Sequence, residues 1–139
     1  PGGAPCTMMI VDLDNLKSIN DTLGHPHGDS AIRLLADTLK SQFRRGDIIG
    51  RIGGDEMLVF LSGAGDRKAI GQAMDALMRK LENTRIDEND RVRLRASIGI
   101  AVGRAGVDTF EELYQRADQA LYEVKRKGKN GYAFFAPGD

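Results

Sequence analysis

Ile48-Ile49-Gly50-Arg51-Ile52-Gly53-Gly54-Asp55-Glu56-Met57-Leu58-Val59-Phe60-Leu61 sets two apolar runs, 48–52 and 57–61, on either side of a Gly-Gly-Asp-Glu tip. Short apolar runs separated by glycines predict a β-hairpin. The second run is apolar on both faces, which places it inside a sheet rather than at its edge. The tip itself admits two readings. Two glycines that let backbone approach a phosphate, followed at once by two carboxylates able to hold a metal, suit nucleotide chemistry. Gly-Gly-Asp is equally ordinary hairpin-turn chemistry.

Outward from the hairpin, residues 8–11 form an apolar run ending at Asp12, which predicts a buried strand delivering an acid at its C-terminal end. Leu16, Ile19 and Leu23 then repeat at helical spacing as far as Gly24, and Ile32, Leu35, Ala36, Leu39 and Phe43 as far as Gly46. Ile70, Ala73, Met74, Leu77 and Leu81 mark a third helix. Val92, Leu94, Ala96, Ile98 and Ile100 alternate with Arg91, Arg93, Arg95, Ser97 and Gly99, which predicts a half-buried strand with a solvated arginine side. Phe110, Leu113, Ala117, Leu121 and Val124 give a last helix closed at 125–128, and 132–135 a final edge strand. The order βααββαβαβ implies an α/β domain of the α+β sandwich kind. Its five-stranded mixed, mainly antiparallel sheet would be flanked by helices rather than doubly wound. The active edge is expected where the first strand meets the hairpin tip.

The chain has 139 residues, 41% of them hydrophobic, enough for one domain with its own core. Residues 1–6 read as a linker remnant of an excised domain, 7–136 as the domain and 137–139 as a tail. The single cysteine, Cys6, allows no internal disulfide, which suits a reducing compartment and makes cytoplasm the expected location of the domain. Lysine plus arginine equals aspartate plus glutamate, 20 each, so bulk charge draws the chain to neither nucleic acid nor anionic lipid. No stretch approaches membrane-spanning length, although a parent protein could still be membrane-anchored.

Asp12-Leu13-Asp14 is not a calcium loop, because an EF-hand would want oxygen ligands where Leu16 and Leu23 stand. Asp14 fits an N-cap of the following helix, as Asp29 fits one ahead of Ser30 and Ala31. Asp12 has no such local role, and facing a carboxylate at the hairpin tip it suits magnesium that keeps water and phosphate as its other ligands. Lys17 and Asn20 share the polar face of the first helix, where surface solvation explains them as well as a site does. His25 and His27 lack further histidine or paired cysteine for zinc. Gly63-Ala64-Gly65 has Lys68 where a dinucleotide fingerprint needs glycine, and no P-loop string occurs. The run 125–130 could be a nucleic-acid patch, but cations and glycine at a helix C-terminus explain it, as they explain Arg44 and Asp47 around Gly46.

Taken in order, these blocks resemble the GGDEF domain family, the diguanylate cyclases that condense two GTP into cyclic di-GMP. The resemblance runs from Asp12 to Asn130 through Asp12-Leu13-Asp14-Asn15-Leu16-Lys17, Asn20-Asp21, Gly24-His25 and Gly28-Asp29. It continues through Arg51-Ile52-Gly53-Gly54-Asp55-Glu56, Ser97-Ile98-Gly99-Ile100-Ala101 and Ala117-Asp118, and ends in Ala120-Leu121-Tyr122 with Lys125, Gly128, Lys129 and Asn130. It implies a nucleotide-cyclase or polymerase-palm-like fold. It also implies magnesium, with manganese as an alternative, on Asp12, the Leu13 carbonyl, Asp55 and Glu56. Catalytic roles fall to Asp55, Glu56 and Lys17, and guanine and ribose recognition to Asn20, His25 and Asp29. Gly53 and Gly54 would lie along the substrate, with Lys125 and Lys129 on its triphosphate. Arg44 and Asp47, ending five residues before Gly53, match the family's inhibitory site for cyclic di-GMP.

The expected partners are therefore GTP, cyclic di-GMP and a second copy of the domain, paired at least transiently because the product is two-fold symmetric. No nucleic-acid partner is expected, and a regulatory module is expected elsewhere in the parent protein. Leu16 and Met57 stand where the family usually has phenylalanine, and the family's Leu-Thr-x-Leu-x-Asn-Arg segment does not precede the first strand. The isolated domain is accordingly expected to be weakly active. The alternative is a non-catalytic regulatory domain that binds GTP or cyclic di-GMP.

Overall fold

The computed structural model describes residues 3–44, 46–86 and 93–136, leaving aside the side chain of His25. Its elements run β1 (Pro5–Leu13), α1 (Leu16–Leu23), α2 (His25–Gln42), β2 (Ile48–Arg51), β3 (Glu56–Ser62), α3 (Arg67–Glu82), β4 (Ala96–Arg104), α4 (Phe110–Arg126) and β5 (Gly131–Phe134). The sheet order is β2-β3-β1-β4-β5. β1 lies at the centre and pairs antiparallel with both β3 and β4, while β5 joins the edge parallel to β4. The mixed, mainly antiparallel five-stranded sheet expected from the sequence is the sheet observed.

Strand periodicity divides the core into two layers. Met9, Val11 and Leu13 of β1 face α1, α2 and α3, with Val59, Ile98, Ile19, Leu35 and Met74 in the same cluster. Cys6, Met8 and Ile10 face the other way and pack with Leu58, Ala101 and the α4 residues Leu113, Ala117 and Leu121. Burying each large side chain of these stripes contributes roughly 1.5–3 kcal/mol relative to leaving it in water. Asp12 continues the second stripe by two residues, so the fold carries a carboxylate to the end of an apolar row beneath α4.

Several boundaries differ from the sequence reading. β1 begins at Pro5, so the 1–6 segment read as a linker contributes two strand residues: Cys6 pairs with Ser62 and Gly103, and Pro5 with Arg104. α2 begins at His25, so Asp29 lies inside the helix and Gly24 occupies the cap position. Proline in the first turn suits this start, since that position needs no N–H. β4 starts at Ala96 and is buried on both faces through Ala101. The solvated face read at Ser97 and Gly99 is instead the face under α4. A Cβ at Gly99 would overlap the Ala117 carbonyl and meet the Leu121 nitrogen at 2.5 Å, so small residues here admit a helix rather than water. Arg91 and Val92 lie outside the described residues, as do Arg45 and the 137–139 tail.

α4 is fixed at its start by a capping box. The Thr109 hydroxyl accepts from the Glu112 N–H at 3.1 Å and the Glu112 carboxylate accepts from the Thr109 N–H at 2.9 Å. That helix then runs across the sheet and brings Lys125 to the end of β1. No helix among the described residues is long and apolar enough to cross a membrane.

Candidate functional site

β1 and β3 pair in a register that sets Asp12 directly opposite Glu56. Directly opposed residues share a sheet face, so both carboxylates lie on the α4 side. The Leu13 N–H donates to the Asp55 carbonyl at 2.9 Å and the Ile52 N–H to the Glu56 carbonyl at 3.0 Å, which closes the hairpin against the end of β1. Arg51 reaches over the tip and donates to the carbonyls of Gly53, at 3.0 Å, and Gly54, at 2.6 Å. The expected meeting of the first strand and the hairpin tip is thus formed by main-chain pairing.

The two tip glycines are not there for turn geometry. Among the described residues the glycines with positive φ are Gly24, Gly63, Gly106 and Gly128, and neither Gly53 nor Gly54 is among them. A Cβ at Gly54 would meet nothing within 4 Å, and one at Gly53 only the Glu56 side chain at 3.8 Å. Open space lies in front of an exposed main chain, which is what a closely approaching ligand needs.

Asp12 is 5% exposed. Its Oδ2 pairs with the Lys125 ammonium, while Oδ1 is buried without a hydrogen-bond partner. Burial pushes the Asp12 carboxyl above its ordinary range, and Asp55 pushes the same way against the opposing pull of Lys125. Glu56 is also raised, by burial first and then by the charge of Asp12, with Asp55 and Asp118 adding to it. For Lys125 burial works against the ammonium, but its hydrogen bond to Asp12 and the charges of Asp12, Glu56 and Asp55 outweigh it, so its pKa is raised. Negative charge is therefore in excess at this point and one oxygen is unsatisfied, the condition that a cation relieves. No group of three or more His, Cys, Asp or Glu side chains among the described residues is placed to hold a metal ion by itself. The donor set fits magnesium, which takes one or two carboxylates and keeps water and phosphate as its other ligands.

α1 begins four residues beyond Asp12 and carries Lys17, exposed, and Asn20, half-buried. A Cβ at Gly28 would overlap the Asn20 Oδ1, so glycine in α2 is what allows that amide to lie between the helices. Asn20 Oδ1 is itself buried and unpartnered. Asp29 is exposed on α2. Its N-cap reading fails because the helix has already begun at His25. The His25 side chain lies outside the described residues. Asp14 is no N-cap either: Asn15 holds that position, with no side-chain cap bond, and the Asp14 carboxylate instead accepts from the Ser97 hydroxyl at 2.6 Å and the Asn130 N–H at 2.9 Å. Lys129, just before Asn130, is exposed with φ 65°.

Arg44 and Asp47 lie at the far end of β3, away from the acids. Arg44 donates to the Ser62 carbonyl at 2.7 Å, and its N–H donates to Asp47 Oδ2 at 3.0 Å. The Arg44 side chain is 71% exposed and that of Asp47 only 4%. Asp47 thus shapes the turn, and Arg44 is the group offered to solvent.

The sequence profile of the family described as Diguanylate cyclase, GGDEF domain, matches residues 2–131. The chain belongs to the GGDEF domain family. A probable diguanylate cyclase of Escherichia coli, DgcC, is 41% identical over 124 residues, covering 89% of this chain and 33% of that protein. The active GGEEF domain of a diguanylate cyclase from Vibrio cholerae superposes with a TM-score of 0.88 at 26% identity, covering 97% of this chain and 85% of that one. A microbial GGDEF domain solved with cyclic di-GMP superposes at 0.79 with 34% identity, covering 94% and 77%. This chain spans about a third of the curated relative's length.

Three features of this GGDEF domain escaped the sequence reading. Arg51 clamps the tip carbonyls, a link between residues two and three apart that the Arg-x-Gly-Gly spacing could have suggested. Asp118 adds its charge to Glu56, and Tyr114 is raised by burial and then by Glu56 and Asp118. Tyr114, Asp118 and Lys125 recur at i, i+4 and i+11, a stripe whose polar character was the available signal. The Asp14, Ser97 and Asn130 contact joins residues up to 116 apart in sequence and left no local signal.

Proposed function

We propose that this domain condenses two GTP into cyclic di-GMP and pyrophosphate, the 3′-hydroxyl of one attacking the α-phosphorus of the other. The 3′-oxygen–phosphorus bond forms, the bond to the β-phosphate breaks, and the hydroxyl proton passes to a carboxylate. The observation that carries this reading is the unsatisfied, buried Asp12 Oδ1 beside the acids of a hairpin whose glycines the fold does not itself require. Diguanylate cyclase relatives and the active Vibrio cholerae domain support it.

Asp12, the Leu13 carbonyl, Asp55 and Glu56 would hold magnesium, or manganese in its place; bound there, the ion neutralises charge developing on phosphate oxygens and acidifies a nearby hydroxyl. Asp55 is the proposed proton acceptor. Glu56 assists, since the upward push on its pKa makes it a better base than an ordinary carboxylate. Lys17 acts on the reacting phosphate, and Lys125 and Lys129 offset triphosphate charge that a neutral chain does not otherwise attract. Gly53 and Gly54 let the nucleotide lie against the main chain. Asp29 accepts from the two neighbouring donors on guanine's pairing edge, with Asn20 and His25 sharing the guanine and ribose contacts. Adenine would leave that carboxylate facing an acceptor, a mismatch worth discrimination of about four orders of magnitude. Arg44, on the turn that Asp47 shapes, binds the product as a brake.

Each domain holds one GTP, so turnover needs two domains facing each other. Incubation with GTP and magnesium at high protein concentration is expected to yield pyrophosphate and cyclic di-GMP, at a rate per domain that rises with concentration. A dimerised form carrying the family's preceding segment that binds GTP but releases neither product would establish the regulatory alternative. Met57, the departure behind that alternative, is 4% exposed and packed in the core opposite Val11. Its side chain therefore replaces apolar packing rather than a group of the site.

A further inference from the structure

Asp14 spends its carboxylate on a long-range contact. Oδ1 accepts from the fully buried Ser97 hydroxyl at 2.6 Å, Oδ2 accepts from the Asn130 N–H at 2.9 Å, and the Ser97 oxygen accepts from the same N–H at 3.2 Å. Its own N–H donates to the Arg95 carbonyl at 2.9 Å. Three elements thereby meet behind Asp12: the end of β1, the start of β4, and the turn joining α4 to β5.

That turn is conformationally demanding. Gly128 has φ 122°, and the two residues after it, Lys129 and Asn130, have φ 65° and 49°, the positive-φ residues other than glycine among those described. Asparagine tolerates the left-handed region, whereas lysine does so rarely. Such a conformation persists only where its surroundings impose it. Here the Lys129 N–H is held by the Val124 carbonyl at 3.0 Å and the next N–H by Asp14. The peptide on either side of Lys129 is therefore fixed, on one side by α4 and on the other by the strand that carries Asp12.

We infer that Asp14, with Ser97, is a positioning residue that sets the direction of Lys129 for the triphosphate. This rests on the GTP reading above, in which Lys129 meets phosphate. The charge of Asp14 need not touch the nucleotide; it holds the turn in the geometry that presents Lys129 to the triphosphate.

The test is a double-mutant cycle on nucleotide binding. Affinities for the α,β-methylene analogue of GTP and for GMP, both with magnesium, are measured by calorimetry on the whole chain and on Asp14→Asn, Lys129→Ala and the double variant. Asp14→Asn is expected to weaken the triphosphate analogue roughly tenfold, the size of one lost charge-assisted contact, with GMP unchanged. In the Lys129→Ala background it should change nothing further. Equal losses for both nucleotides, or additive losses in the double variant, would show a merely structural role and overturn the inference. A parent chain that binds the analogue no better than GMP would instead overturn the triphosphate reading, and this inference with it. Should Asp14→Asn fail to fold, Ser97→Ala, which removes only the hydroxyl holding Asp14, takes its place with the same expectations at smaller size.

Discussion

Asp12 is held in a place that suits a metal ligand better than a structural residue. Its folded pKa lies above the ordinary value because burial and Asp55 outweigh Lys125. The protonated form is therefore favoured by folding, and the stability that Asp12 contributes is fully present below its ordinary carboxylate range. It is lost as pH rises through that range to the raised folded value. Asparagine mimics the neutral acid and does not titrate. Without metal, the melting temperature of the parent should fall relative to that of Asp12→Asn as pH is raised from about 4 towards neutrality. Added magnesium should then raise the parent's melting temperature and leave that of Asp12→Asn where it was. A parent that gained on the variant with rising pH would mean that the Lys125 pair outweighs burial, and the excess negative charge argued above would not exist.

At the scale of elements, the contact between β4 and α4 decides where Lys125 lies. Gly99→Ala would drive a methyl into the main chain of α4 at Ala117 and Leu121, which cannot yield as a side-chain tip can. Overpacking of this kind costs about 1–3 kcal/mol, and the shift of α4 should also part Lys125 from Asp12. Gly54→Ala is the contrasting case: it meets no neighbour and needs no positive φ, so its stability should stay within about 0.5 kcal/mol of the parent. Urea midpoints should separate the two, and nucleotide binding should be lost in Gly54→Ala despite its intact fold. If Gly54→Ala binds GTP normally, the open tip is not where the nucleotide lies. The same pair shows what the sequence could reveal. Periodicity exposes, in order, the nine elements of the described residues, and the acid at the end of β1 follows from one apolar run. Ser97 and Gly99 were misread because alternation with arginines looks alike whether small residues face water or a helix. The N-cap readings of Asp14 and Asp29 fail because capping propensity is local, whereas one answers to Asn130 far along the chain and the other to a helix that opens earlier, at His25.

Across the whole molecule, the acids and the exposed arginine occupy opposite ends of β3. Glu56 opens that strand and Ser62, whose carbonyl holds Arg44, closes it. Seven residues of antiparallel strand span about 20 Å, so a product molecule on Arg44 cannot overlap a GTP bound at the hairpin tip of the same domain. Inhibition through Arg44 would therefore act at a distance from the GTP site, as by holding the tips of two domains apart, rather than by competition for one site. Calorimetry should then show cyclic di-GMP binding the parent chain equally well with and without the α,β-methylene analogue of GTP. Arg44→Ala should lose the product and keep the analogue, since its guanidinium is charged and its side chain 71% exposed at this turn. In turnover, product should lower the maximal rate without raising the GTP concentration needed for half of it, and Arg44→Ala should abolish that effect. Equal product affinity in Arg44→Ala would remove the brake from this turn, and displacement of the analogue by product would place the two ligands in a single site at the hairpin tip.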